Sequence, residues 1–246
     1  MAEAGTAIRD IGSNAIPFLL KWMDYETPPW KVTLFVKSRK LPKGVINSRP
    51  ARWLFDGPGF PPGASAALSF RALGPVAASA IHELEIRARS NSRAKGGQAL
   101  FALSFIGPAA VPAMARVLSN PVCLADMMAG PSLENLGTNA HLLIPLLVQY
   151  LDHTNAPAAA SSAAILGHLW LDQELVIPAL MRKLHDPRAV VSNSIPLALA
   201  ELGYPALLQL TNALSDSDPL VRRSATNAIA IIAGQRPGPT SPSPFE

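Results

Sequence analysis

A short apolar run that closes on glycine returns again and again along this chain. It reads AIRDIG at Ala7–Gly12, SFRALG at Ser69–Gly74, ALSFIG at Ala102–Gly107 and SLENLG at Ser132–Gly137. It continues as SAAILG at Ser162–Gly167 and ALAELG at Ala198–Gly203, with a frayed copy, IAIIAG, at Ile229–Gly234. From Gly74 onward the glycines are spaced by 33, 30, 30, 36 and 31 residues, while Gly12 and Gly74 are 62 apart, two periods or one period plus an insertion. Self-similarity at roughly 30 residues marks a repeat array, whose units bury their apolar faces only against one another.

Each unit has the same internal order. An alanine-rich helix ends at glycine, which takes a left-handed conformation without steric cost. A few small residues follow, and then proline in the first turn of the next helix, where its missing N–H does no harm. Pro17 and Pro112 fit directly, and Pro145 and Pro178 fit after extra residues. The second helix carries Leu, Ile, Val or Met on one face, as in IPFLLKWM, VPAMARVL, IPLLVQYL, IPALMRKL and PALLQLTNAL. It closes at an Asp/Asn-Pro turn (LSNP at 118–121, LHDP at 184–187, SDSDP at 215–219, more loosely LDHTNAP at 151–157), where Asp or Asn can cap the following helix.

The order ALxxLGxxAxPALxxLLxDxDPxVRxxA, best preserved in Leu199–Ala225, resembles HEAT repeats, particularly the short bacterial kind also called phycobilin-lyase-like repeats. The resemblance covers about 65–234 and one copy at 3–24. It implies an all-α fold, a right-handed α-α superhelix of about six to seven helical hairpins, with second helices on the concave side. Alanines such as Ala159, Ala160, Ala163 and Ala164 would let adjacent layers approach closely. The Val-Arg that follows the Asp-Pro turn survives only as Val221-Arg222, so a continuous Asp–Arg ladder between repeats is not expected. The division is a first hairpin at 1–24, an irregular insertion at 25–62, repeats at 63–234 and a Pro/Ser-rich disordered tail at 235–246.

Composition agrees with helices: 49% of residues are apolar, 6% aromatic and 15% charged, which favours Ala/Leu-rich helices and excludes a disordered chain. The longest apolar run, His141–Leu151, is shorter than the about 20 residues a membrane span needs. No basic-then-apolar leader precedes the first helical pattern, and a lone Cys123 fits a reducing compartment, so the chain reads as cytoplasmic and monomeric.

The insertion breaks the pattern. Pro29 starts a candidate helix near 29–40, and Trp53, Phe55 and Phe60 are expected to pin the Pro/Gly-rich remainder to the stack. Lys31–Arg52 holds seven basic residues and no acidic one; Lys37, Arg39, Lys40, Lys43, Arg49 and Arg52 form a basic contact set for phosphate or an acidic surface. A solvated insertion has the same composition. Ile8, Ile11 and Phe18 are patterned for burial almost from Met1, so either the chain starts inside a longer array or 25–62 covers that end.

Chemistry leaves little trace. No two of His82, His141, His153, His168 and His185 share a metal-ligand spacing, and His82, Glu83 and Glu85 fall on different faces of a helix. Gly57-Pro-Gly59 and Gly96-Gly97 lack the lysine and the context of a phosphate loop. Cys123, between Val122 and Leu124, reads as a buried small residue. Catalytic residues, cofactor and metal are therefore expected to be absent. The related lyases and alkylpurine DNA glycosylases built on such stacks show that this architecture can carry enzymes, but the basic residues here gather in the insertion instead of along the second helices.

What remains is a surface. Four residues after the second-helix proline stand Lys21, Arg116, Gln149, Arg182 and Gln209, with Glu83 in the copy that lacks proline. Lys183 and Asn212 lie beside them. One helical angle repeated in every unit makes a stripe, although a solvated amphipathic face produces polar residues there too. The sequence thus predicts a non-catalytic scaffold that binds a protein or peptide along the second helices. The alternative is a nucleic-acid-binding stack, glycosylase-like, that uses the basic N-terminal half.

Overall fold

The computed structural model describes residues 2–25, 33, 62–90, 93–126 and 128–234, and among these there is helix of α or 3-10 type and no strand. The basic contact set at 37–52, the three insertion aromatics and the Pro/Ser-rich tail lie outside the described residues, as does all of the candidate helix near 29–40 except Thr33. The chain divides into two units, Met1–Ile106 and Gly107–Glu246.

The first unit contains α1 (Ala2–Ile11), α2 (Ile16–Met23), α3 (Pro62–Leu73), α4 (Ile81–Ala88) and α5 (Arg93–Ile106). Short 3-10 segments, Gly12–Ala15 and Gly74–Ala80, join α1 to α2 and α3 to α4. Helix α3 packs on α1, α2 and α5, and α4 packs on α5. Phe70, Leu84, Leu100, Leu103 and Ile106 are wholly buried in this unit; each large apolar side chain removed from water contributes roughly 1.5–3 kcal/mol. Small residues set the spacing. A Cβ on Gly96 would stand 3.0 Å from the Ala88 carbonyl oxygen, so α5 lies almost against the backbone of α4.

Gly63–Ala88 has the length and apolar composition of a membrane span. It is not one straight helix: Gly74 at φ 54 turns the chain between α3 and α4, and Ala66, Ala67, Phe70, Ala77, Ala80, Leu84 and Ala88 are buried. Its apolar character is that of a helical hairpin.

The second unit contains α6 (Val111–Leu118), α7 (Pro121–Leu124), α8 (Ala129–Asn135), α9 (Ile144–Tyr150) and α10 (Ala156–Leu169). It continues with α11 (Gln173–Met181), α12 (Ala189–Leu202), α13 (Tyr204–Ala213) and α14 (Pro219–Gly234). Helix α10 packs on α7, α8 and α12, and α12 packs on α14; in a second row α9 packs on α11 and α11 on α13. First and second helices of consecutive hairpins therefore form two layers, as repeat units that cannot bury their faces alone require. Asn120 and Asn155 cap α7 and α10, accepting from Val122 N at 3.0 Å and Ala158 N at 2.9 Å.

The repeated glycine performs two different jobs. Gly12, Gly74, Gly107, Gly137 and Gly203 all have positive φ. Gly107 (φ 88, ψ −150) and Gly203 (φ 65, ψ −135) occupy a region that only glycine enters freely, so these two elbows demand the residue they have. Gly167 departs from the expectation. Helix α10 runs through it to Leu169 and ends at Trp170, where Trp170 (φ 55) and Asp172 (φ 46) carry the left-handed turn. A Cβ on Gly167 would lie 2.6 Å from Ala198 Cα and 2.7 Å from Ala198 O. Glycine is needed here because α10 and α12 touch backbone to backbone. Of the prolines, Pro17, Pro112, Pro145 and Pro205 open their helices, whereas Pro178 sits inside α11, which begins early on bonds from Leu175 N and Val176 N to Asp172 O.

Candidate functional site

The second helices of the second unit present a repeated surface. Pro112 and Arg116 on α6, Pro145 and Gln149 on α9, and Pro178 on α11 are exposed, as is Arg182 at the C-cap of α11. On α13 Pro205 and Asn212 are exposed and Gln209 is half-buried. Each helix turns inward with residues such as Met114, Val117, Ile144, Leu147, Ile177, Leu180, Ala206 and Leu210, all buried, so the proline and the residue four later point away from the core. In the first unit Lys21 on α2 and Glu83 on α4 are likewise exposed. Members of the stripe are also committed within the fold. Lys183 forms an ion pair with Asp152, and Glu83 pairs with Arg87 at 2.8 Å.

The Lys183–Asp152 pair is one of several bonds between turns that the repeat pattern did not reveal. Arg188 forks onto the Asp186 carboxylate (Nη2–Oδ2 2.7 Å, Nε–Oδ1 2.9 Å) and donates to the carbonyls of His153 (2.6 Å) and Leu151 (3.4 Å) in the preceding turn. The guanidinium holds the buried Asp186 carboxyl below the ordinary aspartate range, against the opposing effect of burial. Tyr150 donates to Ser119 O, Ser162 to Leu147 O, and Ser224 to Leu184 O at 3.2 Å. Burial pushes the Tyr150 hydroxyl upward. In the first unit Arg87 donates to both Asp24 oxygens, at 3.2 and 3.0 Å, tying α4 to the end of α2.

The first helices of the second unit carry a different arrangement. His168 Nε2 lies 3.4 Å from Glu134 Oε1 of α8, and its Nδ1 lies 3.8 Å from Glu201 Oε2 of α12. The three flank a small cavity of about 210 Å³ walled by Ala164, Ile165 and Leu169, with Gly130 at its edge. Burial raises the Glu201 carboxyl above its ordinary value, and the neighbouring imidazole opposes that shift. Sequence reading by short-range spacing missed this group, because its members are 34 and 33 residues apart. The signal lay in the period itself: each of the three sits within three residues of a repeat glycine (Gly137, Gly167, Gly203).

Elsewhere Ala159, Ala160 and Ala163 are buried between layers as expected, while Ala164 is exposed at the cavity. Cys123 is half-buried, and no group of three His, Cys, Asp or Glu among the described residues is placed to hold a metal ion. His82 and Glu83 are exposed whereas Glu85 is buried, with Arg89 3.7 Å away. Near the N-terminus Ile11 and Phe18 are exposed, against the expectation of burial, and Ile8 is half-buried. Together with Trp22 and Leu68 they border an apolar groove of about 610 Å³, which the small residues Ala7, Ala15, Ser65, Ser69 and Ala72 leave unfilled.

Comparison with known proteins gives one positive finding. The family model for HEAT repeats matches residues 144–230, from α9 into α14. A search of curated proteins finds no match.

Proposed function

We propose that the chain, whose residues 144–230 match the family model for HEAT repeats, is a protein-binding scaffold without chemistry of its own. Its partner, a protein or an extended peptide, lies along the second helices of the second unit. The observation that carries this reading is the repeated exposure of a proline on α6, α9, α11 and α13, with a polar residue four positions later that is exposed at Arg116, Gln149 and Arg182 and half-buried at Gln209. Proline at the start of a helix is rigid, and Arg116, Gln149, Arg182 and Gln209 offer donors at a period set by the repeat. Lys21 and Glu83 extend the same helical angle into the first unit, with Lys183 and Asn212 as flanking contacts. The basic set Lys37, Arg39, Lys40, Lys43, Arg49 and Arg52 supplies a second, electrostatic contact.

Affinity capture from a nuclease-treated lysate tests the reading. The wild-type chain should retain a specific protein at moderate salt, and the charge-reversed pair Arg116→Glu and Arg182→Glu should lose it. Retention of the same partner by that variant would end the stripe assignment. Tight binding of duplex DNA that collapses between low and moderate salt would point instead to phosphate contacts and a nucleic-acid role.

A further inference from the structure

His168 stands between two carboxylates with one ring nitrogen toward each. A neutral imidazole has a single N–H and can donate to one of them only; the other then faces a ring lone pair. The cavity beside the ring therefore holds a carboxylate without a donor from histidine whenever the ring is neutral. Glu134 and Glu201 are the charged groups that join His168 in lining it, one from α8 and one from α12. The remaining wall is apolar, made by Ala164, Ile165 and Leu169.

Backbone geometry keeps this place open. Gly167 brings α10 against α12, which sets His168 beside Glu201. Gly130 has no side chain to fill the edge: a Cβ there would lie 3.8 Å from Ile165 Cγ1 and 4.0 Å from Glu134 Oε1. The two carboxylates stand off opposite nitrogens of one ring, at 3.4 and 3.8 Å, so they do not converge on a single small ion, and no metal-binding group occurs among the described residues. A planar, multi-donor cation with an apolar stem fits better.

We propose that the cavity between α8, α10 and α12 binds an arginine side chain of a partner segment, its stem on Ile165 and Leu169 and its guanidinium on Glu134 and Glu201. Protonated His168 competes for the same two carboxylates, because the ring then carries a positive charge and an N–H on both nitrogens. Capture is therefore weakened when the ring gains its proton. The site lies on first helices and shares no residue with the second-helix stripe, so either can fail while the other stands.

The test uses the full chain with histidine labelled in the ring, the His168 signal being assigned from His168→Gln. The probe is a blocked Gly-Arg-Gly peptide, with the citrulline peptide as its neutral isostere. At pH 7.5 the arginine peptide should shift the His168 signal saturably, in the millimolar range fitting for one charged side chain. The citrulline peptide should not, and neither should the arginine peptide on Glu134→Gln/Glu201→Gln with its helical circular dichroism intact. At pH 5 the wild type should bind at least about fivefold more weakly, as expected for linkage between protonation and ligand. His168→Gln, followed through signals of α10, should lose part of that pH dependence and keep the part that belongs to Glu201, whose carboxyl is held above its ordinary value. Absence of a saturable shift, an equal response to citrulline, a response retained in the double glutamine variant, or tighter binding at pH 5 would each overturn the proposal.

Discussion

At the scale of single residues, the most informative contact is the one Arg188 makes. Its fork closes on a carboxylate that is buried, and its other donors reach two carbonyls of the preceding turn. Arg188→Ala leaves Asp186 without its ion partner and should cost about 2–3 kcal/mol, less than a wholly buried pair because the guanidinium is partly in solvent. Urea denaturation of both chains measures this, and Arg188→Lys should fall between them, since lysine keeps the charge and loses the fork. The pH dependence follows from the sign of the Asp186 shift. A carboxyl held below its ordinary value stabilises the fold above the ordinary aspartate range, and that contribution disappears as pH falls through the lowered value. The wild type should therefore lose more stability than Arg188→Ala between pH 5 and pH 3; parallel losses would detach Asp186 from the effect. The repeat pattern hid this residue, because it places the arginine later, where only Arg222 remains. A tether to carbonyls 35 and 37 positions away has no local signature.

At the scale of helices and their joints, the repeated glycine was legible as a position but not as a cause. An apolar run followed by glycine looks the same whether glycine supplies a positive φ or a close approach. At Gly203 the reason is local, and the sequence motif suffices. At Gly167 it depends on Ala198 of the neighbouring helix, which no window around residue 167 contains. The two causes predict different responses. Gly203→Ala meets no atom within 4 Å but must adopt a strained backbone, at a cost of roughly 1–3 kcal/mol. Gly167→Ala keeps an ordinary helical backbone yet collides with main-chain atoms, so α10 and α12 must separate, at roughly 2–3 kcal/mol. Gly203→Asn should fare no better than Gly203→Ala, since asparagine's tolerance of positive φ is confined to the left-handed helical region and ψ −135 lies outside it. Gly167→Asn should be worse than Gly167→Ala; the reverse order in thermal denaturation would mean the α10–α12 contact is looser than described. The Asn caps at 120 and 155 and the opening prolines were plain from sequence, while Pro178 was not, because α11 begins earlier than its proline suggests.

At the scale of the molecule, the array was readable because its period was readable, and the proposed partner-binding face follows from that period. The family match at 144–230 covers α9 into α14, where Ser162, Arg188 and Ser224 bond from one turn to another. The opening hairpin was read less well: a pattern that looked like burial at Ile11 and Phe18 became a groove, since periodicity marks a face but does not say what covers it. The central claim, that a partner lies along the second helices, is tested most directly by hydrogen–deuterium exchange on the chain alone and with its captured partner. Exchange should slow in peptides covering α6, α9, α11 and α13, and the slowing should vanish for Arg116→Glu/Arg182→Glu. Protection confined to α10, α12 and α14, or unchanged by that charge reversal, would contradict it.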